Sequence, residues 1–183
     1  MPRLGLGNNL ANAGVISSVG VVSSYSLDFG GTNEYVEIPD ADIFSHSDGT
    51  DDSAFSISGW AKIAASDAAC PICIKYDDDS PFLGEYSFYL TSGRILLMIN
   101  NATTIRCYRK ADADQAVSTD AWHHFVGVYD GTGADNGDDS IKLYVDGVDI
   151  TADTTGLGQA GSYQRMLPNT SSLMIGVSLK DSA

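Results

Sequence analysis

The amino-acid sequence predicts an all-β fold in which two antiparallel sheets stack as a sandwich. Three observations predict it. Apolar residues alternate with polar ones in short runs along most of the chain, turn residues punctuate those runs, and no segment carries the 3.6-residue period of an amphipathic helix. The acidic residues point the same way: Asp outnumbers Glu by 21 to 3, and Asp suits turns where Glu favours helices.

Residues 1–23 stand apart. They hold no acidic residue, many glycines and mostly small side chains, and are expected to form an extended N-terminal arm that a neighbouring subunit holds in place. The sandwich is expected over 24–183. Tyr25 to Phe29 alternates and stops at Gly30-Gly31; Glu34 to Ile38 alternates and stops at Pro39. The Asp- and Ser-rich stretch from Asp40 to Asp52 reads as a surface loop. Phe55 to Ile63 is the clearest central strand, with Phe55, Ile57, Gly59, Ala61 and Ile63 on one face and Ser56, Ser58, Trp60 and Lys62 on the other. Ile72 to Tyr76, Glu85 to Leu90, Ile95 to Asn100 and Thr104 to Arg109 continue as a meander, with Ser92-Gly93 as one tight turn.

Two further runs form a hairpin. In Trp122 to Tyr129, one face takes Trp122, His124, Val126 and Val128, and the other takes His123, Phe125, Gly127 and Tyr129. In Ile141 to Val145, Ile141, Leu143 and Val145 oppose Lys142 and Tyr144. Asp146-Gly147 has the chemistry of a tight turn into Val148 and Ile150.

Composition narrows the function. At 183 residues and 43% hydrophobic, the chain suits one domain with a single sizeable core. A formal charge of −14 argues against nucleic acid, whose phosphates need clustered Lys and Arg. No apolar run approaches the roughly 20 residues of a membrane helix, so no membrane partner is expected. Three cysteines are too few for a disulfide framework; Cys70-Pro-Ile-Cys73 has redox or zinc spacing, but no second pair or nearby His completes a zinc set, and small buried side chains are expected.

Five segments in series, SLDFGGTNEYVEIPD (26–40), FSISGWAKI (55–63), AWHHFVGVYDGT (121–132), IKLYVDGV (141–148) and SLMIGVS (172–178), resemble the laminin-G-like, concanavalin A-like domains. That resemblance implies a jelly roll of two stacked antiparallel sheets over nearly all of the chain beyond the arm. Such domains usually end on one further strand after the segment matching Met174 to Val177, and this sequence stops at Ala183. The expectation is that the natural polypeptide is longer, or that a neighbour's arm supplies the strand by β-augmentation.

Catalysis is not expected. Glucanases of the related fold carry E-x-D-x-x-E on a strand to place two carboxylates across the scissile bond. This chain has only Glu34, Glu37 and Glu85, with no such motif. His123 and His124 are adjacent on a strand and project to opposite faces, so they cannot share a site. No G-x-S-x-G elbow supports a Ser-His-Asp triad. Calcium is the cofactor that the loops would suit: Asp77-Asp78-Asp79 and Asp135-Asn136-Gly137-Asp138-Asp139 offer hard oxygen ligands, with Asp77, Asp79, Asp135 and Asp138 the candidates against solvated turn residues. Trp60 is the candidate ligand-binding residue, a stacking platform for a sugar unless it packs beneath a loop.

Two functions follow. The first is a non-enzymatic structural protein of a virion, a phage capsid decoration or fibre protein assembled in the host cytoplasm, which self-associates or meets other capsid proteins through the arm. The second is an extracellular carbohydrate- or protein-binding module of a secreted bacterial protein, lectin-like and calcium-dependent, with glycans as partners.

Overall fold

The computed structural model describes residues 25–30, 34–64, 69–77, 83–101, 106–132, 140–152, 163 and 165–176, with backbone alone for Tyr76, Asp77, Leu83 and Arg106. The expected arm, 1–23, lies outside them. Ten strands form two antiparallel sheets: β1 (Val36–Ile38), β2 (Phe55–Lys62), β3 (Ala69–Asp77), β4 (Leu83–Thr91), β5 (Arg94–Asn100), β6 (Arg106–Lys110), β7 (Trp122–Tyr129), β8 (Ile141–Val145), β9 (Val148–Asp149) and β10 (Leu173–Ile175). The larger sheet runs β1-β10-β3-β4-β5-β6 and the smaller β2-β7-β8-β9. Among the described residues the helical turns are two 3-10 turns, Asp42–Phe44 and Ala113–Gln115.

Alternation decides which side of each strand is dry. In β4 and β5, Tyr86 opposes Ile99, Phe88 opposes Leu97, and Leu90 opposes Ile95; all six are buried. They meet Phe125, Tyr129, Ile141 and Leu143 from the smaller sheet in one core. Gly127 faces the larger sheet with no room for a side chain: a Cβ there would lie 2.9 Å from Phe88 Cε2 and 3.1 Å from Leu97 Cδ2. Glycine is therefore what lets β7 cross the Phe88 ring.

Both predicted tight turns have the left-handed backbone that a two-residue hairpin loop needs. Ser92 and Gly93 have φ of 52° and 72°, and Asp146 and Gly147 have 50° and 80°. In β3, the ladder to β4 shifts register between Pro71 and Cys73 and again between Lys75 and Tyr76. β10 covers only Ile74 and Lys75, so Pro71 stands where β3 is paired on one side.

One expectation needs correction. Tyr25 to Phe29 forms no strand; Tyr25 and Leu27 are exposed, at 91% and 65%, and no ladder engages the segment among the described residues. The stretch from Asp40 to Asp52 lies at the surface, as expected, and is anchored at its end. Asp52 Oδ2 accepts the hydroxyls of Tyr129 (2.6 Å) and Tyr163 (2.7 Å), and its Oδ1 accepts the Met166 amide (2.8 Å), tying the loop to β7 and to the segment before β10.

Candidate functional site

The outward face of the smaller sheet carries the exposed aromatic residues that secondary structure alone cannot explain. β2 and β7 are paired over their whole length, with Trp60 opposite His124 and Lys62 opposite Trp122. Directly opposed residues in an antiparallel pair share a face. Trp60 is therefore on the same surface as Trp122, along with Val126 and Val128 from β7 and Tyr144 from β8, which opposes Val126.

Trp60 is 65% exposed and Trp122 48%. The Trp60 and His124 rings lie 5.1 Å apart, centroid to centroid, with planes inclined by 31°. The imidazole supports one side of the indole and leaves the rest to solvent. Among the described residues no loop covers Trp60. Ser56, Ser58 and Lys62 continue the exposed row along β2, and Lys142 extends it on β8. The surface thus combines flat apolar rings with hydroxyl and ammonium groups.

The two histidines divide as their parity requires. His123, on the other side of β7, bonds through Nδ1 to Asp146 Oδ2 (2.7 Å) and through Nε2 to Ser118 Oγ (3.0 Å). Asp146 Oδ1 also accepts the His124 amide (2.8 Å). Burial opposes ionisation of Asp146, but these hydrogen bonds outweigh it and hold its pKa below the ordinary value. Ser118, His123 and Asp146 have the order of a catalytic triad, which the sequence did not single out because Ser118 lies in no recognisable motif. The nearby backbone N–H of Asp120 is already given to the Ile63 carbonyl at 2.8 Å, and Ser118 and half of Asp146 are in water. The three side chains act as a clasp that pins the loop before β7 to the β8–β9 turn.

The remaining candidates resolve as follows. Cys70, Cys73 and Cys107 form no disulfide with one another. Burial raises the Cys70 pKa and pushes that of Cys73 to about 11, which disfavours the thiolate form in both. Each glutamate is engaged: Glu34 by the Gly30 amide, Glu37 by the Ser172 hydroxyl (2.8 Å), and Glu85 in a fully buried ion pair with Lys75 (3.1 Å). Of the calcium candidates, Asp79, Asp135, Asp138 and the side chain of Asp77 lie outside the described residues. Among the described residues no three His, Cys, Asp or Glu side chains gather into a metal site, and no helix is long and apolar enough to cross a membrane.

A family model described as the concanavalin A-like lectin/glucanases superfamily, of the laminin-G type, matches residues 29–182. No curated protein matches the sequence. Among solved structures, the chain is similar to the binding domain of Paraclostridial Mosquitocidal Protein 1, at 13% identity and a TM-score of 0.56 over 82% of this chain and 34% of that one. It is also similar to the botulinum neurotoxin serotype D binding domain, at 12% identity and a TM-score of 0.48 over 80% and 32% of the two chains. The mouse laminin alpha1 chain, domains LG4-5, gives 16% identity and a TM-score of 0.47 over 82% and 33%. The chain thus spans about a third of each of these structures, and at such identities the likeness is one of fold. Two antiparallel sheets and a family match over most of the sequence together show that the chain belongs to the laminin-G-like, concanavalin A-like lectin/glucanase superfamily.

Proposed function

We propose that this domain is a non-enzymatic binding module and that the outward face of its smaller sheet holds carbohydrate, stacked on Trp60. The observation that carries the proposal is an indole 65% exposed on β2, a strand held to β7 along its whole length. A Trp presents about 150–250 Å² of mostly apolar surface. At about 25 cal/mol per Å², leaving most of it in water forgoes roughly 3 kcal/mol of stabilisation. A fold that, among the described residues, buries seventeen side chains in one core has no packing reason for that cost; a ligand supplies one.

The apolar C–H face of a sugar matches a flat ring, while its hydroxyls match the serine, lysine and tyrosine groups that flank Trp60. Membership in a superfamily named for lectins supports this choice of ligand class. A glucanase reading lacks its carboxylate pair, since the three glutamates are engaged separately. Self-association of a virion protein through residues 1–23 falls outside the described residues, so the proposal rests on the sheet face, and an extracellular setting goes with it. A glycan array probed with the labelled domain tests it: retention of a defined sugar class supports the proposal, and an empty array for folded protein overturns it.

A further inference from the structure

The ammonium of Lys75 sits inside a cage of five oxygens. Its Nζ lies 2.8 Å from Asp40 Oδ1, 3.0 Å from the Ser171 carbonyl, 3.1 Å from the Asn169 carbonyl, 3.2 Å from Asn169 Oδ1 and 3.1 Å from Glu85 Oε1. The side chains of Lys75 and Glu85 are fully buried and that of Asp40 is 27% exposed. The oxygens come from three places in the chain, the residue after Pro39, β4 and the approach to β10, and they enclose a lysine of β3. One of them, Asn169, belongs to a sequence that matches a glycosylation acceptor, yet here its amide oxygen serves Lys75 and the Ser171 amide (2.9 Å).

The cage has more oxygen than an ammonium can use. A lysine offers three protons, and five acceptors surround it. Glu85 Oε1 already accepts the Ser45 hydroxyl (3.0 Å) and the Asn169 amide (3.1 Å). Its second oxygen, Oε2, is buried and has no partner. An orphaned carboxylate oxygen beside an over-supplied cation is the independent sign that the donor set suits a different ion. Two carboxylates, a side-chain amide oxygen and two backbone carbonyls are the ligands that calcium takes, six to eight at about 2.3–2.6 Å. With Glu85 bidentate, this cage supplies six from four residues.

We infer that Lys75 is a built-in cation occupying a calcium-type cage, and that removing its ammonium turns the cage into a calcium site. The wild-type domain then needs no metal there to tie β1, β3, β4 and β10 together. The two carboxylates would balance the ion's charge, and the oxygens need close in by only about half an ångström to reach calcium distances.

The test compares the wild type with Lys75→Ala, which opens the cage, Lys75→Met, which fills it without charge, and Lys75→Ala combined with Glu85→Gln. In chelator, Lys75→Ala should melt about 10 °C below the wild type, since half of a buried ion pair has been removed. Calcium at 10 mM should restore more than half of that loss, and magnesium, which demands a tighter octahedron, should not. Terbium, a luminescent calcium probe, should light up on Lys75→Ala through the neighbouring Tyr86 and stay dark on Lys75→Met. If Lys75→Ala does not fold in chelator, refolding from urea in calcium replaces the melt, and recovery only with calcium supports the inference. It is overturned if calcium moves Lys75→Ala no further than the wild type, if Glu85→Gln leaves the rescue intact, or if calcium gives no refolding. The loop aspartates are the same in every variant, so they cancel from the comparison.

Discussion

Trp60 and His124 face each other across the β2–β7 ladder, their ring centroids 5.1 Å apart, on the side of the sheet turned to water. The pair shows how a sandwich strand can divide its work. One face of β2 supplies Phe55 and Ile57 to the core, and the other carries an indole that no part of the described chain covers.

The close passage of β7 over the core makes Gly127 intolerant of any side chain. In Gly127→Ala the new methyl would meet Phe88 at 2.9 Å and Leu97 at 3.1 Å, and both are fully buried. A loss of about 1–3 kcal/mol is expected, as for other overpacked cores. Urea unfolding monitored by tryptophan fluorescence measures it, with a change in midpoint and little change in slope.

Asp52 joins three donors from two distant parts of the chain. Burial pushes the Tyr129 and Tyr163 hydroxyls well above the ordinary tyrosine range, so both stay protonated and donate to the carboxylate. Asp52→Ala strands two phenolic hydroxyls and an amide, and about 2–4 kcal/mol should be lost. Asp52→Asn, which keeps an acceptor oxygen, should lose less; equal losses would show that the carboxylate geometry is not what matters.

His46 stacks on Phe55 at 4.3 Å with the rings nearly parallel. Burial lowers its pKa below the ordinary histidine value, partly offset by the charge of Glu85. The unfolded chain therefore binds this proton more readily than the folded one, and stability falls as pH drops below about 6.5 until the folded-state pKa is passed. His46→Phe keeps a ring in the stack and should flatten the melting temperature between about pH 7 and pH 5. An unchanged slope would place the acid sensitivity elsewhere.

The Ser118–His123–Asp146 clasp provides a check on the proposed non-enzymatic role. A serine activated by its histidine reacts with fluorophosphonates. Mass spectrometry should find Ser118 unmodified after exposure to such a probe, and labelling that His123→Ala abolishes would make the clasp an active site.

Parity made much of the fold and the stacking candidate readable in advance. Strands β7 and β8 run as their alternation requires, because a strand half-buried in a sandwich must show period two. The same parity puts Trp60 outside. What could not be read was everything that depends on distant partners. Asp52 looks like one more turn residue until Tyr129 and Tyr163, 77 and 111 residues away, fold onto it. Lys75 and Glu85 sit beside register shifts that no pattern in β3 announces. Tyr25 to Phe29 alternates as well as any strand, yet alternation cannot supply a neighbour for it to pair with.

The measurement that bears most directly on the carbohydrate surface is calorimetric titration of an array-selected glycan into the wild type and Trp60→Ala. Removal of an exposed indole should leave thermal stability within about 1 kcal/mol of the wild type. Affinity should fall at least about tenfold, the scale of one lost stacking platform. Equal affinities for the two proteins would contradict the proposed site and move the ligand off this face.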